Sequence, residues 1–76
     1  SMHPGGEIRQ RRLTQGKTIS DLADASGLSR AMIADVENGK KSPTLRTLYM
    51  LATGLGCSVS DLLGLPEADR VSVTRA

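Results

Sequence analysis

The side chains with most to offer a partner stand close together. Arg30, Ala31, Ala34, Asp35 and Asn38 recur at spacings that bring them to one side of a helix, at about 100° per residue, and Lys40-Lys41 follows directly. A guanidinium donates two hydrogen bonds in a fixed fork, a carboxylate accepts them, and an alanine methyl lets a backbone approach closely. Lysines supply charge to phosphate. This is recognition chemistry. Bond-breaking chemistry finds no comparable set. His3 and Cys57 are the only residues of their kinds and lie far apart in sequence, so neither a zinc cage nor an intrachain disulfide is possible. There is no nucleophile–base pair and no phosphate-cradling glycine loop. Asp21, Asp24, Asp35 and Glu37 are accounted for by caps, surface or an ion pair. The sequence predicts neither an enzyme nor a cofactor or metal site.

The elements that would position these residues are marked by local signals. Thr18 and Asp21 stand three apart, as a capping box requires, which predicts a helix over about 19–25 with Leu22 and Ala23 on its apolar face. Gly27 allows the chain to reverse. Ser29 can cap the next helix, over about 30–38, with Leu28 and Ile33 as its hydrophobic staple and Gly39 as its stop. Met32, Ile33 and Val36 share the inner side of that helix. Two short helices joined by a tight glycine turn suggest a helix-turn-helix, whose second helix enters a DNA major groove.

The rest of the chain reads as support. A first helix is expected from about Gly6 to Gln15, with Ile8 and Leu13 inward, after a loose segment over 1–5 that opens on Ser1, a residue with the look of a protease scar. Thr44 should cap a fourth helix with Leu45, Leu48, Ala52 and Leu55 buried, while Tyr49, Met50 and Leu51 widen its apolar surface. Gly54 within it means either an early end or a close approach by another backbone. Ser58 and Asp61 form a second capping box for a fifth, short helix that ends at Gly64, with Val59, Leu62 and Leu63 inward. Cys57 reads as a small apolar filler. Residues 65–76 read as a linker, in which Val71-Ser72-Val73 alternates like a strand without a partner. Net charge is +2 and the pI about 9.1, with eight of the ten lysines and arginines before position 47. No stretch suits a membrane span or a signal peptide, so the cytoplasm is the expected compartment.

Taken in order, Ile8-Arg9 with Arg12, Asp21-Leu22-Ala23, Gly27-Leu28-Ser29, Glu37-Asn38-Gly39, the run SPTLRTL over 42–48 and Leu55-Gly56 resemble the Cro/C1-type helix-turn-helix family, the phage-repressor-like or XRE domains. The resemblance covers roughly residues 6–64. The variant TISDLADASGLS is most similar to a bacterial branch in which this domain precedes a cupin-type β-barrel.

That resemblance implies an all-α, compact five-helix bundle of the lambda-repressor-like type, and the DNA-binding domain of a prokaryotic or phage transcriptional regulator. Arg30, Ala31, Ala34 and Asp35 would face bases. Ser29, Asn38, Lys40 and Lys41 would hold the DNA backbone. Arg12 would pair with Glu37 and lie close to a phosphate. Thr18 and Ile19 occupy the start of the second helix, whose backbone N–H groups face a phosphate in the family. Ile19 departs from the polar residue usual there, and Lys17 from an apolar one. The implied partners are double-stranded DNA with a palindromic site, and a second copy of the chain, held weakly through the fourth and fifth helices. A small-molecule effector would act only through a C-terminal domain outside this sequence. The alternative is an antitoxin-like or adaptor module that uses the same fold to bind protein.

Overall fold

The computed structural model describes residues 3–66. It contains five helices: α1 (Gly5–Thr14), α2 (Ile19–Ser26), α3 (Arg30–Glu37), α4 (Leu45–Leu55) and α5 (Val59–Leu63). The alternating Val71-Ser72-Val73 segment lies outside the described residues.

Local chemistry starts and stops these helices. Thr18 Oγ1 accepts from the Asp21 N–H at 3.0 Å while Asp21 returns a bond to the Thr18 N–H at 2.9 Å. Ser58 and Asp61 repeat the box at 3.0 Å in each direction. Ser29 and Thr44 cap α3 and α4 by accepting from the N–H groups of Met32 and Thr47. Each cap satisfies an amide that the helix itself cannot.

The core is aliphatic. Ile8, Leu22, Ile33, Leu51 and Leu62 are essentially sealed, joined by Val36, Leu48, Ala52 and Leu55. α2 packs most extensively on α4. Their crossing resolves the two readings of Gly54. α4 runs on to Leu55, and Gly54 is buried where a Cβ would lie 3.0 Å from both Leu22 Cδ1 and Ser26 Cβ. The glycine's cost in the helix is offset by that approach. The end of α4 is also tied from outside it. Lys17 Nζ donates to the Gly54 carbonyl and Gln15 Nε2 to the Leu55 carbonyl, both at 2.8 Å. A cation at a helix C-terminus meets unsatisfied carbonyls and the favourable end of the dipole.

Several expectations are corrected. α1 spans Gly5–Thr14, close to its expected bounds, and the chain before it makes contacts from His3 onward. Gly5 is buried against the end of α3, where a Cβ would run into the Val36 carbonyl oxygen and lie 2.8 Å from that of Glu37. His3 Nδ1 accepts from the Gly5 N–H at 3.1 Å. Leu13 is 55% exposed, because five residues place it roughly 140° round the helix from Ile8, and Arg12 takes the inward position instead. Leu45 at 62% and Leu63 at 37% are also exposed, as is Tyr49 at 60%; they border an open groove between α4 and α5. Cys57 is half-buried against the core, and desolvation pushes its thiol up from the ordinary value.

Candidate nucleic-acid interface

The outward surface is set by what α3 must bury. Ile33 and Val36 are committed to the core and Met32 packs beside them, which turns Arg30 and Ala31 fully outward and leaves Ala34 and Asp35 half-buried on the flanks. The turn before α3 fixes its entry. Gly27 adopts a left-handed conformation, φ +80°, after which Leu28 packs on the core and Ser29 caps the helix. The first turn of α3 therefore projects Arg30 with no partner among the described residues.

The far end of α3 is tied off by backbone. The Asp35 carbonyl accepts from the Lys40 N–H at 2.8 Å and the Lys41 N–H at 3.3 Å, and the Val36 carbonyl from the Gly39 N–H at 3.1 Å. Gly39 makes this possible at φ +75°, and the ring of His3 lies against it. Asn38, Lys40 and Lys41 stay exposed on this folded loop. Lys41 Nζ stands 3.6 Å from Asp35 Oδ2, which offsets the charge of that carboxylate on the flank of α3.

Beneath that surface, Arg12 joins three pieces of the chain. Its Nε and Nη2 hold the Glu37 carboxylate at 2.7 and 2.9 Å, and Nη1 donates to the Lys17 carbonyl at 2.9 Å. Both side chains are buried, at 9% and 3% exposure. Hydrogen bonding to Glu37 holds the Arg12 guanidinium above its ordinary value against desolvation. Arg12 makes the ion pair expected with Glu37. The Ile19 side chain packs against the core. Thr18 is exposed at the start of α2 with its hydroxyl occupied by the cap. Hydrogen bonds from the Thr18 backbone and side chain hold the Asp21 carboxyl below the usual range.

Sequence reasoning missed the contacts of His3, Gly5, Gln15 and Lys17. All but the His3–Gly5 bond reach between distant parts of the chain, and no local pattern announces them. Among the described residues no cluster of His, Cys, Asp and Glu could hold a metal ion, and no helix is long and apolar enough to cross a membrane.

Known proteins share this arrangement. The helix-turn-helix family model matches residues 8–62. The chain is 38% identical to the HTH-type transcriptional regulator SutR of Escherichia coli over 87% of its own length, and spans 37% of that relative. Its fold is similar to the restriction-modification controller protein C.AhdI from Aeromonas hydrophila, with a TM-score of 0.76 and 31% identity over 80% of this chain and 92% of that one. It is also similar to the P22 c2 repressor protein in complex with a synthetic operator, with a TM-score of 0.74 and 28% identity over 83% and 96% of the two chains. The chain belongs to the helix-turn-helix family, as a DNA-binding domain of the kind found in bacterial and phage transcriptional regulators.

Proposed function

We propose that the domain selects its DNA site by laying α3 in the major groove. Arg30 donates twice to a guanine, the methyl groups of Ala31 and Ala34 meet thymine methyls, and Asp35 accepts from a cytosine amine. Ser29, Asn38, Lys40, Lys41 and the backbone at Thr18 and Ile19 hold phosphates on either side. The observation that carries this reading is the outward turn of α3: Arg30 and Ala31 are exposed with no partner among the described residues, beside a basic loop already folded.

Four side chains on one helix specify few base pairs, which is too little to select a site among many competitors. A two-fold dimer on a palindromic operator doubles the information. The α4–α5 groove, bordered by Leu45, Tyr49, Val59 and Leu63, supports weak pairing of two copies through these helices. This chain spans 37% of the length of the Escherichia coli relative, which supports a longer native protein. We place there a cupin-type domain that supplies most of the dimerisation and holds any small-molecule effector, in a regulator that works in the cytoplasm. The same groove also favours a second reading, in which a different protein docks on α4 and α5.

Selection of bound duplexes from a random pool tests the proposal. The expected product is a pair of inverted half-sites about 10–10.5 base pairs apart. A single half-site would overturn the two-fold model, and no enrichment at all would overturn site selection by α3.

A further inference from the structure

Lys17 immediately precedes Thr18, the cap of α2, and both its main chain and its side chain are engaged by the protein. Its N–H donates to the Arg12 carbonyl at 3.0 Å, its carbonyl accepts from Arg12 Nη1 at 2.9 Å, and its Nζ donates to the Gly54 carbonyl at 2.8 Å. Two residues earlier, Gln15 Nε2 reaches the Leu55 carbonyl, also at 2.8 Å. The α1–α2 loop is therefore clamped on two sides. One side is Arg12, which also holds Glu37 at the end of α3, and the other is the last turn of α4.

Gly54 receives this part of the chain twice. Its carbonyl takes Lys17, and its missing side chain lets Leu22 and Ser26 of α2 come close, each 3.0 Å from where a Cβ would stand. The close approach fixes how near α2 lies to α4. Apolar contact of that kind is non-directional and resists sliding along the helix axis only weakly. The Lys17 bond is directional and charge-assisted, and it resists sliding. The position of α2 along its axis decides where its first turn stands. There the capping box takes the Thr18 and Asp21 amides, and leaves those of Ile19 and Ser20 for an acceptor outside the helix. The same position decides where the Gly27 turn delivers Ser29 and α3.

We propose that Lys17 is a positioning residue for DNA binding. Its bond to Gly54 sets the register of α2 on α4, and with it the placement of the first turn of α2 relative to the outward side of α3. The inference rests on the reading that both meet one duplex. A cation beside a DNA-facing helix start would ordinarily count toward the salt dependence of binding. Lys17 does not, because its ammonium already has an acceptor within the fold, and what it contributes is geometry.

The test measures binding of the whole chain to a mixed-sequence duplex of about 20 base pairs by fluorescence anisotropy at several salt concentrations. Melting curves give the folded fraction of each variant, and affinities are corrected for it. Lys17→Met keeps the aliphatic stem and removes the donor. It should weaken binding roughly three- to tenfold at every salt concentration, about the size of one neutral hydrogen bond lost, and leave the slope of log K against log salt at the parent value. Lys17→Arg keeps both charge and donor and should bind close to the parent. Arg9→Ala removes an exposed charge from α1 and should cost less than Lys17→Met. A slope lowered by about 0.9 in Lys17→Met would put the ammonium on a phosphate and overturn the positioning role. Unchanged affinity after correction would overturn it too, as would an equal loss in Arg9→Ala or a Lys17→Arg chain no better than Lys17→Met. A Lys17→Met chain too little folded to titrate would make Lys17 a support of the fold alone, and also overturn it. No measurable binding by the parent chain would sink the DNA reading itself.

Discussion

The seam between α1 and α3, and the stretch from Arg30 to Arg46, both carry charge and treat it in opposite ways. In the seam, Arg12 and Glu37 are buried face to face with a bidentate bond, and Arg12 also holds the Lys17 carbonyl. Along the stretch, Arg30, Lys40 and Arg46 stand exposed with no partner among the described residues. The seam uses charge to fix where α3 sits, and the stretch keeps charge available for something outside. Stability and binding should therefore separate cleanly between the two regions.

Removing one member of the seam should have the largest effect. Glu37→Gln leaves a buried guanidinium without its counter-charge, which typically costs about 3–5 kcal/mol, much of what a domain this small has. Thermal melting and urea unfolding should show it largely unfolded at room temperature. If it melts like the parent, the seam is no different from the surface and the contrast fails. Arg30→Ala should do the reverse. It should leave melting within about 0.5 kcal/mol of the parent and remove about 1–3 kcal/mol of discrimination at one base pair. Binding titrations against single-site operator variants measure this, and a sequence-independent loss would make Arg30 another phosphate contact.

Asp35 and Lys41 lie between these extremes, since their pair is partly exposed at 3.6 Å. Asp35→Asn should change stability by less than about 1 kcal/mol and strengthen binding to random duplex DNA, because Lys41 is freed. Weaker random binding would show that the pair holds the loop in shape. The smallest effect belongs to Asp21. Its carboxyl lies below the ordinary value in the folded chain, so its contribution is complete above about pH 4 and is lost as pH falls through the lowered value. The difference in melting temperature between parent and Asp21→Asn should shrink from neutral pH to pH 2–3, while DNA binding at neutral pH stays close to parental. A gap that widens in acid would mean that the cap does not depend on the charge.

What the sequence made legible was local. The boxes at Thr18–Asp21 and Ser58–Asp61, the cap at Ser29 and the inner side of α3 each depend on residues a turn apart, and each is found in the structure. The failures needed knowledge of neighbours distant in the chain. Helical spacing places Leu45 and Leu63 beside buried residues but cannot say that nothing covers them. Gly5 looks like a flexible start until the end of α3 is found above it. Lys17 looks like a surface cation until α4 ends beside it. The outward residues of α3 were visible because the helix's inner side is unambiguous.

The two amide bonds to the Asp35 carbonyl bear on how fast the domain meets DNA. A basic loop that had to fold on contact would slow capture, and would show a large negative heat-capacity change. Here the Lys40 and Lys41 amides are already bonded at 2.8 and 3.3 Å, so the loop arrives in its final shape. If the loop meets DNA as proposed, encounter approaches rigid-body docking, in which long-range attraction raises the association rate and added salt slows arrival.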